Sequence, residues 1–261
     1  DTTIYARLKP AAITSYGANI IHASTGGATQ NKPVTGTGIA SSASDILRDA
    51  SFSEPENVDY AAYQETDATA GSLTLGRFVI RDGGASADLD SAGTTLSAIT
   101  FSVVNSANLR RVALYDGSTE LGEVAGGATA AFTGLSVTVP DNASKTLTLR
   151  ASFAAGVTDN QQISFTVSSA TAASSGSGFA ASDAGGAATS TTGDRNRIEV
   201  MATQLAFSSI PGSAVDVGAS FPASVRAQDA NGNLDVDSAA VVTVSRATGT
   251  GTVTGGGSQA L

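Results

Sequence analysis

Apolar positions along this chain recur at every second residue. Leu147, Leu149, Ala151 and Phe153 alternate with Thr146, Thr148, Arg150 and Ser152, the pattern of a strand whose side chains point in turn to core and to solvent. Ile163, Phe165 and Val167 repeat it, as do Ile99, Phe101 and Val103, and then Leu135, Val137 and Val139. Leu73 and Leu75 precede Gly76, whereas Phe78 and Ile80 follow it in the opposite phase. A glycine at such a phase change predicts a β-bulge that lets the strand swap which face is buried. Val112 and Leu114 form another short strand, ending at the hairpin-type turn Asp116-Gly117. Helical evidence is confined to one capped turn over residues 44–49, and nothing sustains a 3.6-residue period over three turns. Many short strands punctuated by Gly, Asn and Asp predict an all-β protein of β-sandwiches rather than an α/β fold.

The pattern divides the chain into three regions. Residues 1–48 are irregular, with a strand-like piece (Ile4, Ala6, Leu8), an apolar pair (Ile20, Ile21), His22 and a Gly26-Gly27 turn. Residues 49–202 hold about eight strands, enough for a complete sandwich; their Gly/Ala/Ser/Thr-rich stretch 171–194 predicts a long loop or weak strands. Residues 203–261 restart the alternation at Leu205 and Phe207, continue it through Phe221, Ala223, Val225 and Ala227, and end on Val242, Val244 and Val253. Those are four strands where an immunoglobulin-like sandwich needs about seven, so an edge and half a core are expected to be exposed. Either the chain is cut from a longer one, or strands arrive from elsewhere. The N-terminal segment, with no sandwich of its own, is the obvious donor, through Ile4, Ala6 and Leu8 or through Ile20 and Ile21. The start at Asp1, without a basic and apolar leader, predicts a processed chain or a segment.

Composition narrows the chemistry. With no Cys, the 261-residue chain has no disulfide scaffold, thiol nucleophile or thiolate metal site, and with one His it has no multi-histidine site. A formal net charge of -9 is the wrong sign for binding nucleic acid or an anionic membrane surface. No apolar run is long enough to cross a bilayer, so no membrane insertion is expected. His22 lies in no nucleophile context and reads as a surface or interface residue. Phe52, Tyr60 and Tyr63 form the densest aromatic group, read as a core corner, with a sugar-stacking platform as the sharper alternative. Glu54-Pro55-Glu56 reads as a solvated turn, and of Arg110 and Arg111 one is expected to face out and the other to cap an edge or to pair with Asp116 or Glu120. The chain is therefore not expected to be an enzyme.

LAFSSIP over residues 205–211, FPASVRAQDANGN over 221–233 and the Val-rich VVTV over 241–244 together resemble the opening of bacterial immunoglobulin-like repeats. Asp82-Gly83-Gly84, residues 112–117 and residues 157–160 look like modules of the same class. Such repeats tile large surface adhesins and filaments, notably those that Bacteroidota secrete through the type IX system, so the resemblance implies an extracellular or cell-surface location. The repeat stops after Val253, before the closing strands of that pattern.

Two acidic loops share Asp-x-Asp-Ser-Ala. Asp88, Asp90, Ser91 and Ala92 follow Asp82, while Asp235, Asp237, Ser238 and Ala239 follow Asp229, Asn231 and Asn233. Alternating Asp and Asn oxygens in a Gly-containing loop are suited to a hard cation such as calcium, which takes six to eight oxygens at roughly 2.3–2.6 Å. The plainer reading is an Asn-Gly turn with a solvated acidic flank. Under the resemblance, the two Asp-Ser-Ala triplets also match an O-glycan acceptor pattern, implying glycans on Ser91 and Ser238. Asn142-Ala143-Ser144 fits the N-glycan sequon.

The expected function is architectural: a subunit or segment of an extracellular bacterial filament or adhesin stalk. Its partners are copies of itself, head to tail by strand complementation, or the flanking repeats of a longer chain. The alternative is a carbohydrate-, ice- or surface-binding module, which needs a flat face with outward Thr; Thr133, Thr138 and Thr146–Thr148 are the hint. No cofactor beyond calcium is expected.

Overall fold

The computed structural model describes residues 14–23, 25–189, 195–210, 212, 215–216, 218–250, 252 and 257–261. The fold is all-β, with a two-sheet sandwich at its centre. One sheet has five strands: β3 (Asp45–Arg48), β5 (Leu73–Arg81), β7 (Leu109–Asp116), β8 (Thr119–Ala125) and β10 (Ser144–Phe153), in the order β3-β5-β10-β7-β8 and antiparallel throughout. The facing sheet joins β6 (Thr94–Val104), β9 (Thr129–Val139) and β11 (Ser164–Ala172) in the order β11-β6-β9. Phe78, Phe101, Phe132 and Phe165 meet between them, Phe101 packing edge-on against Phe132 and Phe165 with ring centroids 6.3 and 6.4 Å apart.

The alternation of the sequence is the alternation of burial. Phe101 and Val103 of β6, Val137 and Val139 of β9, and Phe165 and Val167 of β11 all face the core. The phase change in β5 is a bulge, since Leu149 pairs with Gly76 and Arg150 with Thr74, leaving Leu75 as the extra residue. The bulge sends Leu75, Phe78 and Ile80 into one and the same core, so it absorbs the phase change instead of swapping the buried face. The segment over Ser44–Asp49 is a strand, not a helical turn, because Ile46 and Arg48 pair with Ile80 and Phe78 along β5. Its lone buried apolar side chain, Ile46, gave too short an alternation to read.

Two small-residue stretches close the sandwich. Residues 173–189 form a strap rather than strands. Its backbone donates to β6 and β11 (Ala173 N to Thr95 O, 2.8 Å; Thr189 N to Phe165 O, 3.0 Å) and accepts from β3 (Ile46 N to Ala184 O, 2.8 Å), so one edge strand of each sheet, β3 and β11, is covered. Only a chain poor in large side chains can lie this close: a Cβ on Gly176 would stand 2.2 Å from Gly93 O. Residues 60–72 start with a 3-10 turn, Tyr60–Tyr63, and cross the outer face of the five-stranded sheet. There Ala68 packs with Ala113 and Tyr115, whose hydroxyl donates to Ala68 O at 3.0 Å. This burial pushes the Tyr115 phenol up to about 12, with help from Glu120.

Flanking elements are smaller. β4 (Asn57–Asp59) and β12 (Arg197–Glu199) form a parallel pair. β1 (Ser15–His22) and β2 (Gln30–Thr37) form an antiparallel hairpin in the region read as irregular. After β12, β13 (Gln204–Ser209) pairs with β14 (Ser224–Gln228), and β15 (Val241–Thr243) with β16 (Ser258–Ala260). Glu54 is not solvated: it is 1% exposed and takes a two-pronged hydrogen bond from Arg48, 2.8 and 2.6 Å. Arg111 pairs with Glu123 at 3.1 Å rather than with Asp116 or Glu120, because Glu123 lies diagonally from it on β8, opposite Ala113, while Asp116 is held by Lys145 at 2.8 Å.

Candidate cation loops and an open apolar groove

The first acidic loop leaves β5 at Asp82. This carboxylate is buried and held by Thr94 Oγ1 (2.7 Å) and the backbone N–H of Asn142 (2.8 Å). Gly83 and Gly84, both at φ +71°, turn the chain back so that Asp88 N donates to Asn142 Oδ1 at 2.7 Å. Asp82, Asp88 and Asp141 each place one carboxylate oxygen within 4.8 Å of the other two. Asp88 Oδ2 is sealed from solvent and receives no hydrogen bond. Burial first, and then the charges of Asp90 and Asp82, push the Asp88 carboxyl above its usual range against the pull of Ser41. Asp90 is not in the cluster; its oxygens accept from Ser41 N and from Ala92 N (2.7 Å) and so close the loop.

The second loop docks on the central sandwich. Asp229, 5% exposed, accepts from the Tyr60 hydroxyl, from Asn231 N and Asn233 N (both 2.9 Å) and from Asn233 Nδ2 (3.1 Å). Tyr60 Oη in turn accepts from Asn231 Nδ2 (2.9 Å) and Asn233 Nδ2 (2.6 Å), and Asn233 also bonds Ala155 O and Val157 N. Burial pushes the Asp229 carboxyl up, but the donors, Tyr60 first and then Asn233 and Asn231, outweigh it and hold it below the usual range. The Tyr60 phenol is raised, chiefly by burial. Tyr60 is therefore a core corner with a polar tip, as in one reading of the aromatic group.

Two residues beyond Asn233, Asp235 and then Asp237 meet Asp159 of the sandwich, again with one oxygen each within 4.8 Å. Asp159 accepts from Val200 N and Val236 N, both at 2.8 Å, and Asp237 from Asn160 Nδ2 at 3.2 Å. Asp235 Oδ2 takes the Ala202 N–H at 2.9 Å, while its Oδ1 is buried without a donor. Of the eight residues named as cation ligands, the structure thus groups Asp82 with Asp88, and Asp235 with Asp237. It engages the other four elsewhere: Asp90 and Asp229 accept backbone N–H groups, Asp229 also takes the Tyr60 hydroxyl, and Asn231 and Asn233 donate their amides to Tyr60 Oη. It adds Asp141 and Asp159, which follow no acidic motif. The one sequence signal for them was their place in polar turns, beside Asn142 and Asn160.

Ser91 is exposed and Ser238 half-buried. Ile4, Ala6 and Leu8 lie outside the described residues. Ile20 and Ile21 lie in β1, 41% and 67% exposed, and the register turns them to opposite faces of the hairpin.

The last module is open. β13 and β14 pair Leu205 with Ala227 and Phe207 with Val225 on one face. That face and Val242 and Val244 bound a groove of about 380 Å³. Leu205 is 51% and Phe207 69% exposed. The outer face of the three-stranded sheet is of another kind: β6, β9 and β11 contain no charged residue, and Ser102, Thr129, Thr133, Ser136, Thr138 and Ser169 are exposed on them.

No family model matches this chain, and no curated protein matches it.

Proposed function

We propose that the chain is a structural segment of an extracellular bacterial filament or adhesin stalk, built from successive β-sandwiches and joined head to tail. One observation carries the reading: among the described residues, the groove between β13–β14 and β15 leaves Leu205, Phe207 and Val244 without a covering layer. Burying such side chains is worth about 1.5–3 kcal/mol each, and an added strand supplies both the missing layer and backbone partners. The reading gives the chain no catalytic step. The test is negative-stain electron microscopy with intact mass. Filaments made of 25.7 kDa chains that vanish when residues 1–25 are deleted support strand donation between copies. Filaments of a much larger chain place the same module in a tandem array, and monodisperse monomers overturn the assembly.

The acidic clusters support calcium as a structural ion of these loops. Each has three converging carboxylates and one buried oxygen with no donor, at Asp88 and at Asp235. Calcium at tens of times its dissociation constant then raises the unfolding temperature, and Asp235→Asn together with Asp88→Asn removes the rise. A melting curve indifferent to calcium and to a chelator rules this out.

The uncharged hydroxyl face of β9, β6 and β11 favours a second reading, a carbohydrate- or ice-binding face. A glycan array and an ice-affinity assay on monomeric protein decide between the two.

A further inference from the structure

Of the ten asparagines in the chain, Asn231 alone is followed by glycine. That pair is open to a spontaneous reaction in which a backbone nitrogen attacks the side-chain carbon of the asparagine before it. Glycine favours the attack because it sets no Cβ in the way and leaves its backbone free to turn. Gly232 stands at φ +86°, and a Cβ added there would meet nothing nearer than Gln228 Nε2 at 4.0 Å. Asn231 itself is exposed. Asn105, Asn142, Asn160 and Asn196 also have left-handed backbones, but Ser, Ala, Gln and Arg follow them, each with a side chain beside the attacking nitrogen.

In the docked loop both reacting groups are engaged elsewhere. The Gly232 N–H donates to Asp229 O at 3.1 Å. The Asn231 side-chain amide donates to Tyr60 Oη at 2.9 Å, which ties it to the central sandwich. Asn231 N is held as well, by Asp229 Oδ1 at 2.9 Å.

We propose that Asn231 is a deamidation site gated by docking: it is protected while Tyr60 holds it, and it converts once the loop lifts from the sandwich. The Gly232 nitrogen forms a bond to Asn231 Cγ and loses its proton, while the side-chain amide nitrogen leaves as ammonia. Water then opens the cyclic imide at either of its two carbonyls, leaving aspartate or isoaspartate at position 231. Nothing is oxidised or reduced, and solvent water is the co-reactant.

The product does not fit the docked joint. Tyr60 gives its hydroxyl proton to Asp229 and accepts from the amides of Asn231 and Asn233. A carboxylate at 231 replaces one of those donors by an acceptor, so oxygen faces oxygen, and it adds a negative charge beside the buried Asp229. The isoaspartate form also inserts a methylene into the backbone between Asp229 and Asn233. There Asp229 N donates to Asn233 O at 3.0 Å, and Asn233 N to Asp229 Oδ1 at 2.9 Å. Either product disfavours redocking, so the reaction turns a reversible opening of the joint into a lasting one.

The test follows the full chain near neutral pH over weeks, by peptide mass. In the urea-unfolded chain the peptide carrying Asn231 gains the mass of an amide-to-acid exchange before any other asparagine peptide does. In the folded wild type the same conversion is at least about tenfold slower, since it awaits local opening. Tyr60→Phe, which removes the acceptor of the amide, speeds it about five- to tenfold over wild type, the factor that one ordinary hydrogen bond gives. Asn231→Asp, a direct copy of one product, exchanges the amide hydrogens of Val157, Asn233 and Val236 faster than wild type. Conversion of Asn231 as fast in the folded chain as in urea overturns the gate, as does a folded Tyr60→Phe that converts at the wild-type rate. Another asparagine converting first in urea overturns the site, and unaltered hydrogen exchange in Asn231→Asp overturns the lasting opening. Should Tyr60→Phe lose its fold, the comparison of wild type with the unfolded chain and the exchange of Asn231→Asp still decide.

Discussion

Asp229 shows what a single carboxylate does in this chain. All of its partners are donors: the Tyr60 hydroxyl, two backbone N–H groups and the Asn233 amide. Asp229→Asn puts an amide N–H against one of them, and a hydrogen bond to a charged group contributes about 1.5–3 kcal/mol. A loss of about 2 kcal/mol in urea unfolding is expected, and Tyr60→Phe, which removes the shared hydroxyl, should cost about 1–2 kcal/mol. Because the folded Asp229 carboxyl is held below its ordinary value, its contribution is present above the ordinary Asp range near 4. It is lost as pH falls through the lower folded value. Wild type should therefore lose stability on acidification more steeply than Asp229→Asn does, a difference that parallel urea titrations at pH 7 and pH 3 resolve. The aromatic and acidic residues were visible in the sequence; their union was not, since 169 positions separate Tyr60 from Asp229. Glu54 failed for a related reason, because a Pro beside two acidic residues looks solvated unless Arg48 is known to face it.

At the level of elements, alternation carried most of the information. β6, β9, β10 and β11 are long, with one face in the core, and their period of two is unmistakable. β3, with four residues and one buried apolar side chain, gave no period to read. The hairpin β1–β2 escaped because a strand without a core has no alternation to impose. The strap over 173–189 has no period either, as its backbone does most of the bonding, joined by the Ser177 and Thr189 hydroxyls, and its small side chains permit the approach. That role makes a sharp prediction. Gly176→Val forces a Cβ to 2.2 Å from the Gly93 carbonyl, so the strap must lift at this point. A loss of about 1–3 kcal/mol follows, whereas the same change at Gly156, with nothing within 4 Å of its added Cβ, costs far less. Equal denaturation midpoints for the two variants would show that the strap does not need this contact.

Over the whole molecule, cohesion is uneven. The central sandwich has one continuous core, and the last module has Ala227 as its one fully buried apolar side chain among the described residues. Native-state hydrogen exchange should follow that contrast. Amides of β5, β6 and β10 are expected to exchange slowest, and those of β13–β16 at least a hundredfold faster in monomers, slowing on assembly. Uniform protection along the monomer would contradict the open module.

The parallel pair β4–β12 has a mechanical consequence. β12 is the last strand before the chain enters the final module, and it lies between β4 on one side and residues 160–163 on the other. Ile198 bonds Gln161 O and Asn160 N, and Arg197 N bonds Glu56 O. Tension from the final module directed along β12 strains these bonds sideways and simultaneously, so they must rupture as a group. A pull across the strand would instead open them one by one. The orientation of three residues thus gives the joint a direction of strength, greatest when the pull runs along β12.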